Sequence, residues 1–516
     1  MWLTAQAAFA AAFLYILISY ADIAYKQSRS RLPPGPRQLP LIGNILQVPL
    51  EYQERVFAQW SRQYGDVVYA RLFRTPTIIL GTLQTARDLM DKRSAKYSGR
   101  PRSVMLKEML DWDRLMVVLD YGDLWRKHRK WIQGSFNDKA SLLAWQVVQR
   151  REVCVLLSLL LSKPESFLQH LKRYSAALIM ETVYGHTVTS DNDEYVAVIE
   201  EAMKGTVESG TAGATPVDFF PILKYVPSWM PGAQYKRQAL HVRRLVQEAN
   251  NKPFEMVKRL MTLGRAKPSV VSSLLEASTR AGTLTEDELD IKGAGGALYG
   301  PGTDTTNSVM TTFFLAMVLH PEVLKKAQEE IDQVVGAERL PDFPDREKLP
   351  YVECVVKEVY RWICPLPLGI PHRVTENDGY LGYEVPKGAM IIPNIWSMSM
   401  NAEIYPEPAQ FRPERFLDMN PNLVDFADPR GYVFGFGRRI CPGRQFADAS
   451  VWLVIASVVA TFNIRTAKDI MGNELVPEAS YDSGIVSHPH PFACSIMPRS
   501  SRSIATVMEA KSALDA

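Results

Sequence analysis

Paired cysteines are missing from this chain. Its five, Cys154, Cys354, Cys364, Cys441 and Cys494, have no spacing of the zinc-finger or disulfide-scaffold kind, which argues against both and places the folded part in a reducing compartment. Excess charge is missing too: 59 Lys and Arg against 56 Asp and Glu leave +3, too little to argue for nucleic acid as a partner. There are no internal repeats and no linker that would split the chain, although length alone suggests roughly three domains at ~150 residues each. No dinucleotide or flavin segment is present either, so electrons for any redox chemistry must come from a separate protein. What remains is 516 residues, 47% hydrophobic and 22% charged, ample for a large core.

The one long apolar run lies at the start. Trp2 to Ala21 carries no charge, and as a helix it spans about 30 Å, enough to cross a bilayer. Lys26, Arg29, Arg31 and Arg37 follow it, which puts the amino terminus in the lumen and the body in the cytosol. A cleaved signal peptide is the rival reading, weakened by the absence of a basic stretch before the run. Leu32-Pro33-Pro34-Gly35-Pro36 cannot continue a helix and predicts a stiff hinge. The division expected is an anchor over 1–25, a hinge over 26–40, a catalytic domain over 41–500, and a disordered small and polar tail over 501–516.

Most of the body has helical periodicity: Val147 to Leu161, Ser175 to Tyr184, Tyr235 to Leu263 with a break or kink at Pro253, Val323 to Val335, and Val352 to Trp362. Two hairpins are expected. One joins Val67–Leu72 to Thr77–Leu80, and the other joins Tyr383–Val385 to Ala389–Ile392 about Pro386-Lys387-Gly388. A long helix from about Asp287 to Leu319 contains Gly293, Gly295, Gly296, Gly300, Pro301 and Gly302, at a cost of about 1 kcal/mol per glycine and about 3 for the proline. Something must offset that cost. Asp304, Thr305 and Thr306 follow at once, an acid beside hydroxyls where Pro301 takes the usual partner from the Ala297 carbonyl.

The densest chemistry lies in Phe434-Gly435-Phe436-Gly437-Arg438-Arg439-Ile440-Cys441-Pro442-Gly443. Arg438 and Arg439 precede the thiol, and Pro442 suits the first position of a helix through Ala447 to Val459, so the charges and the helix start both favour a thiolate. A structural cysteine in a turn is the plainer reading of any lone Cys. The spacing Phe434-x-x-Gly437-x-Arg439-x-Cys441-x-Gly443 resembles the haem-binding signature of the cytochrome P-450 superfamily, the haem-thiolate monooxygenases. Gly302-Thr303-Asp304-Thr305-Thr306 resembles that family's oxygen-activation motif, with Pro301 where alanine or glycine is usual. Glu358-x-x-Arg361 and Phe411-Arg412-Pro413-Glu414-Arg415-Phe416 resemble its two structural signatures, and Trp125-x-x-x-Arg129 its propionate-binding helix.

The resemblance implies a mainly α fold with minor β-sheets, a haem-thiolate monooxygenase body behind an N-terminal transmembrane helix, and haem b with an axial thiolate from Cys441. It implies Asp304 and Thr305 as the proton-delivering and oxygen-holding pair. Trp125, Arg129, His372 and Arg439 become propionate donors with Arg100 as a weaker match and Arg373 as an alternative to His372. Phe434 and Gly443 shape the thiolate loop, and Glu358, Arg361 and Arg415 form a buried network beneath it. Leu366 to Ile370 and Ile485-Val486 would line the distal pocket, and Phe219 through Pro231 the entrance near the membrane. Arg126, Lys127 and Lys130 would face an acidic partner. The implied partners are an NADPH-dependent reductase, cytochrome b5, membrane lipid and an apolar small molecule, with no nucleic acid. The implied location is the endoplasmic reticulum membrane, single-pass, with a cytosolic catalytic domain. The chain looks most like fungal microsomal members that oxidise terpenoids, other secondary metabolites, or aromatic and steroid xenobiotics. The alternatives are a haem-thiolate isomerase, dehydratase or peroxygenase, and a non-catalytic haem sensor.

Overall fold

The computed structural model describes residues 31–190, 192–210 and 215–515. The run expected to form the anchor lies outside them, and among the described residues no helix is long and apolar enough to cross a membrane. The architecture is mainly helical with small sheets. The helices that matter for the site are α1 (Asp123–Phe136), α2 (Lys139–Ser162), α3 (Phe167–Tyr184), α4 (Gln234–Thr262), α5 (Leu284–Leu319), α6 (Pro321–Val334), α7 (Pro350–Trp362), α8 (Arg444–Thr461) and α9 (Ser501–Asp515). The Asp138 carboxylate caps α2 by accepting from the Ser141 amide, and Gly185 in the left-handed region ends α3. Helix α4 runs unbroken through Pro253. The break expected there does not occur: the proline removes a single ladder bond and is buried within the helix.

Helix α5 is the axis of the body. Every residue from Ser308 to Val318 is buried, and the helix packs along α3, against α4 and against α8. Its glycines offset their cost by letting other chains in. A Cβ on Gly296 would stand 1.9 Å from Asn250 Oδ1 of α4, and one on Gly300 would stand 2.4 Å from Met203 Cε.

The first hairpin pairs β1 (Val67–Leu72) with β2 (Thr75–Leu80). The second expected hairpin does not form. Strand β5 (Tyr383–Val385) pairs back onto β4 (Asp378–Tyr380), while β6 (Met390–Pro393) leaves it to lie parallel to β2 and antiparallel to β3 (His372–Arg373). The reason is visible in the side chains: β6 is wholly buried, whereas β5 carries the exposed Glu384. A third sheet orders β8 (Glu474–Leu475), β7 (Phe462–Lys468) and β9 (Cys494–Pro498). The proline-rich hinge is fastened to the body, since the Tyr69 amide donates to Pro34 O and the Glu384 amide to Arg31 O.

The tail expected to be disordered is instead α9. Ser500 and Ser503 cap its start reciprocally, Val507 is fully buried, and Thr506 donates to Ala337 O. The helix packs against α2 and α8 through Val507 while Ile504 and Met508 stay exposed, a placement that composition alone hides.

Candidate active site

The thiolate loop lies between α7 and α8. Phe434 packs its ring on Tyr360 of α7 with centroids 5.5 Å apart, and the Cys441 amide donates to Phe434 O at 2.8 Å, closing the loop on itself. Gly437 has φ 54° and sits so close to the preceding segment that a Cβ would stand 2.0 Å from Met90 O. No other residue fits there.

Burial pushes the Cys441 thiol up, while the Gly443 amide and the Arg129 and Arg444 guanidiniums pull it down. The expected sources of positive charge are therefore corrected. Arg438 turns outward to the Tyr121 hydroxyl, Arg439 turns away to Ser98 O, and α8 begins at Arg444 with Gly443 as its N-cap, leaving Pro442 outside the helix. The charges that reach the sulfur come from α1 and from the first turn of α8.

Around this loop the structure gathers Arg439, Arg129, Arg100 and His372, none of which forms a salt bridge among the described residues, although Asp120 acts at longer range on Arg439 and Arg100. Arg439 donates its Nε to Ser98 O, but both terminal nitrogens are buried with no partner. Its guanidinium lies 4.7 Å from the centre of the Trp125 ring, and burial lowers its pKa to about 10. Arg129 donates to Ile440 O, which ties α1 to the thiolate loop. His372 is buried with Nδ1 2.7 Å from Tyr97 O, and burial, then Arg100 and Arg439, hold it neutral. Arg100 is buried as well, its Nε on Val117 O and its Nη1 on Ile370 O and Pro371 O. Burial and Arg439 pull it far below the usual guanidinium range. Arg373 is not a stand-in for His372, because it bonds Arg100 O and pairs with Asp120.

Buried guanidinium donors without acceptors are costly unless an anion completes them. A flat dianionic macrocycle, whose carboxylates Arg439 would hold and whose metal Cys441 would bind, fits this donor set. Of the basic residues expected to face a partner, Lys127 is corrected: its ammonium pairs with Asp287 and Asp290 of α5. Arg126 and Lys130 are exposed.

On α5, the Thr305 hydroxyl donates to Pro301 O at 2.8 Å, four residues back. The helix passes through Pro301 without interruption. Asp304 reaches the loop between β8 and β9, where its Oδ1 is 3.1 Å from His488 Nε2. Sequence reasoning singled out Ile485 and Val486 in that loop but passed over His488, and nothing in the run His488-Pro489-His490-Pro491 signals this contact. Beneath the thiolate loop, Arg361 grips Glu358 through Nε and Nη2, both at 2.7 Å, and Arg415 Nε adds a bond at 3.0 Å. All three side chains are buried.

A glycine-turned thiol beneath orphaned guanidiniums, beside a long helix that carries an acid and a hydroxyl, defines a haem-thiolate protein. The family model "Cytochrome P450" matches residues 33–494, and the chain belongs to that family. It is 47% identical to cytochrome P450 monooxygenase 136 of Postia placenta, over 92% of this chain and 90% of that protein. It is 45% identical to monooxygenase 176 of the same fungus, over 93% of each, and 40% identical to cytochrome P450 monooxygenase claR of Ampulloclitocybe clavipes, over 94% and 90%. The family is one of oxidoreductases that bind haem through an axial cysteine thiolate.

Proposed function

We propose that this chain is a reductase-dependent monooxygenase of apolar small molecules, with Cys441 as the axial ligand and with Trp125, Arg129, His372 and Arg439 holding the haem carboxylates. The observation that carries this reading is the pair of buried Arg439 donors without a hydrogen-bond partner among the described residues, two residues before Cys441 in the same loop. When bound, the haem supplies dioxygen activation by electron transfer. The protein's own contribution is electrostatic and positional. Arg129 serves both sides, bonding Ile440 O while its charge favours the thiolate. Asp304 and the Thr305 hydroxyl supply and place protons at the α5 groove. Leu366 to Ile370 and Ile485-Val486 line the pocket for an apolar substrate of the terpenoid, secondary-metabolite, aromatic or steroid kind.

Electrons come from an NADPH-dependent flavoprotein reductase with cytochrome b5 as a second donor, meeting the exposed Arg126 and Lys130 of α1. The protein sits on the endoplasmic reticulum membrane with its body in the cytosol. Exposed Ile222, Tyr225, Trp229 and Met230 in the aromatic stretch support a face that dips into lipid.

The reduced, CO-bound absorption spectrum tests the core of this reading. A red-shifted thiolate Soret band is expected, and a band at the position of a neutral histidine ligand would overturn it. Thr305→Ala should leave that band intact and divert reducing equivalents to peroxide, lowering product formed per NADPH severalfold. Unchanged coupling would remove Thr305 from its role.

A further inference from the structure

Asp304 is held by a histidine. His488 Nε2 lies 3.1 Å from Asp304 Oδ1, with the histidine side chain 27% exposed and the aspartate 46%. A chance meeting of surface side chains would leave the histidine's backbone loose, and here it is clamped. The His488 amide donates to Asp482 Oδ1 at 2.7 Å, and the Asp482 amide donates back to His488 O at 2.9 Å. The neighbouring Ser487 is buried, its amide on Pro365 O and its carbonyl accepting from the Ser308 hydroxyl. Ser308 stands one turn beyond Asp304 on the same face of α5. The loop is thus pinned to α5 at the turn where the acid projects.

We propose that His488 is the positioning residue of Asp304 and the group through which that carboxylate is recharged with protons. The inference rests on Asp304 being the proton source assigned above. In the step itself the imidazolium Nε2–H bond breaks as an O–H bond forms on Asp304 Oδ1, leaving a neutral ring and a neutral acid. Asp304 delivers its proton into the groove, and Nε2 takes up another from solvent at its exposed edge. No electrons move.

The charged groups against His488 are Asp304 from α5 and Asp482 from its own loop. Burial disfavours the imidazolium, but the bond to Asp304 and the charges of Asp304 and Asp482 outweigh it, so its pKa is raised. The sign follows: the imidazolium that pairs with Asp304 is present below its raised folded value and is lost as pH rises through that value.

The test uses full-length holoprotein. In the reduced, CO-bound and therefore diamagnetic form, labelled with ring-¹³C histidine and assigned by the signal missing in His488→Gln, His488 should titrate above the ordinary histidine value. It should fall by about one unit in Asp304→Asn. With NADPH, a microsomal flavoprotein reductase and 7-ethoxycoumarin as probe, NADPH consumption and peroxide release are followed from about pH 6 to about pH 8. The wild type should show an alkaline decline in consumption that His488→Gln and His488→Phe both lack, each slowed roughly tenfold at low pH, below the ~10²-fold effect of a direct proton donor. An intact CO band in both variants separates this from misfolding. If Asp304→Asn alters the profile while both His488 variants match the wild type, or if the His488 titration ignores Asp304→Asn, the inference is overturned and the role of Asp304 stands. If Asp304→Asn itself changes neither consumption nor peroxide, both fall.

Discussion

Cys441→Ala should remove the red-shifted CO band completely and reduce NADPH-supported oxidation to background, while the polypeptide stays folded. The other four cysteines cannot substitute. Burial pushes Cys154 up to about 11 and Cys354, Cys364 and Cys494 up to about 12, and such thiols are poor ligands because the thiolate is the binding form. Cys441 is also raised by burial, but the Gly443 amide, Arg129 and Arg444 all oppose that rise with no carboxylate against them. Metal binding expels a thiol proton, and at Cys441 an amide and two guanidiniums favour that expulsion. Among the described residues there is also no cluster of three His, Cys, Asp or Glu side chains that could hold a metal in its place. The folded state should tolerate the change, since the loop is closed by the Cys441 backbone amide on Phe434 O rather than by the sulfur. Retention of the red-shifted band in Cys441→Ala would transfer the ligand role to another residue.

How much of this was legible in the sequence depended on the range of the interaction. Elements set by local periodicity were readable: α7 covers Pro350–Trp362 where Val352 to Trp362 was expected, and β1 coincides with Val67–Leu72. Spaced motifs were readable too, because Glu358 and Arg361 meet across one helical turn and the thiolate loop is a single continuous stretch. Long-range pairings were not. The choice of β6 to leave β5 for β2 depends on which strand is buried, and a turn sequence such as Pro386-Lys387-Gly388 serves either outcome. The charge reaching Cys441 was misassigned for the same reason. Sequence proximity favoured Arg438 and Arg439, but the loop turns both away and brings Arg129 from more than three hundred residues earlier. The glycine cluster of α5 was legible as a cost but not as a remedy, which lies in Asn250 and Met203.

The same contrast between local and distant partners governs Glu358→Ala, which should destabilise the protein by about 3 to 5 kcal/mol, the cost of stranding buried charge. That is a large part of the ~5 to 15 kcal/mol that holds a typical domain folded. Two guanidiniums would lose the one carboxylate that pairs with them among the described residues, in a buried site. Replacing a buried ion pair with apolar residues is often harmless, but that remedy should fail here. Arg361 also donates to Ser399 O, Pro408 O and Gln410 O, and Arg415 to Pro406 O, Glu407 O and Gln410 O. The arginines thus satisfy four carbonyls of the 406–410 segment, the fifth, Ala409 O, accepting from the Trp362 indole, while Glu358 itself accepts the Arg412 amide at 2.8 Å. Glu358→Leu combined with Arg361→Met and Arg415→Met would strand those carbonyls, so the triple variant should be no more stable than Glu358→Ala. Thermal unfolding followed together with haem retention checks both statements. A triple variant as stable as the wild type would mean that the network serves charge balance alone and does not order the segment leading to Cys441.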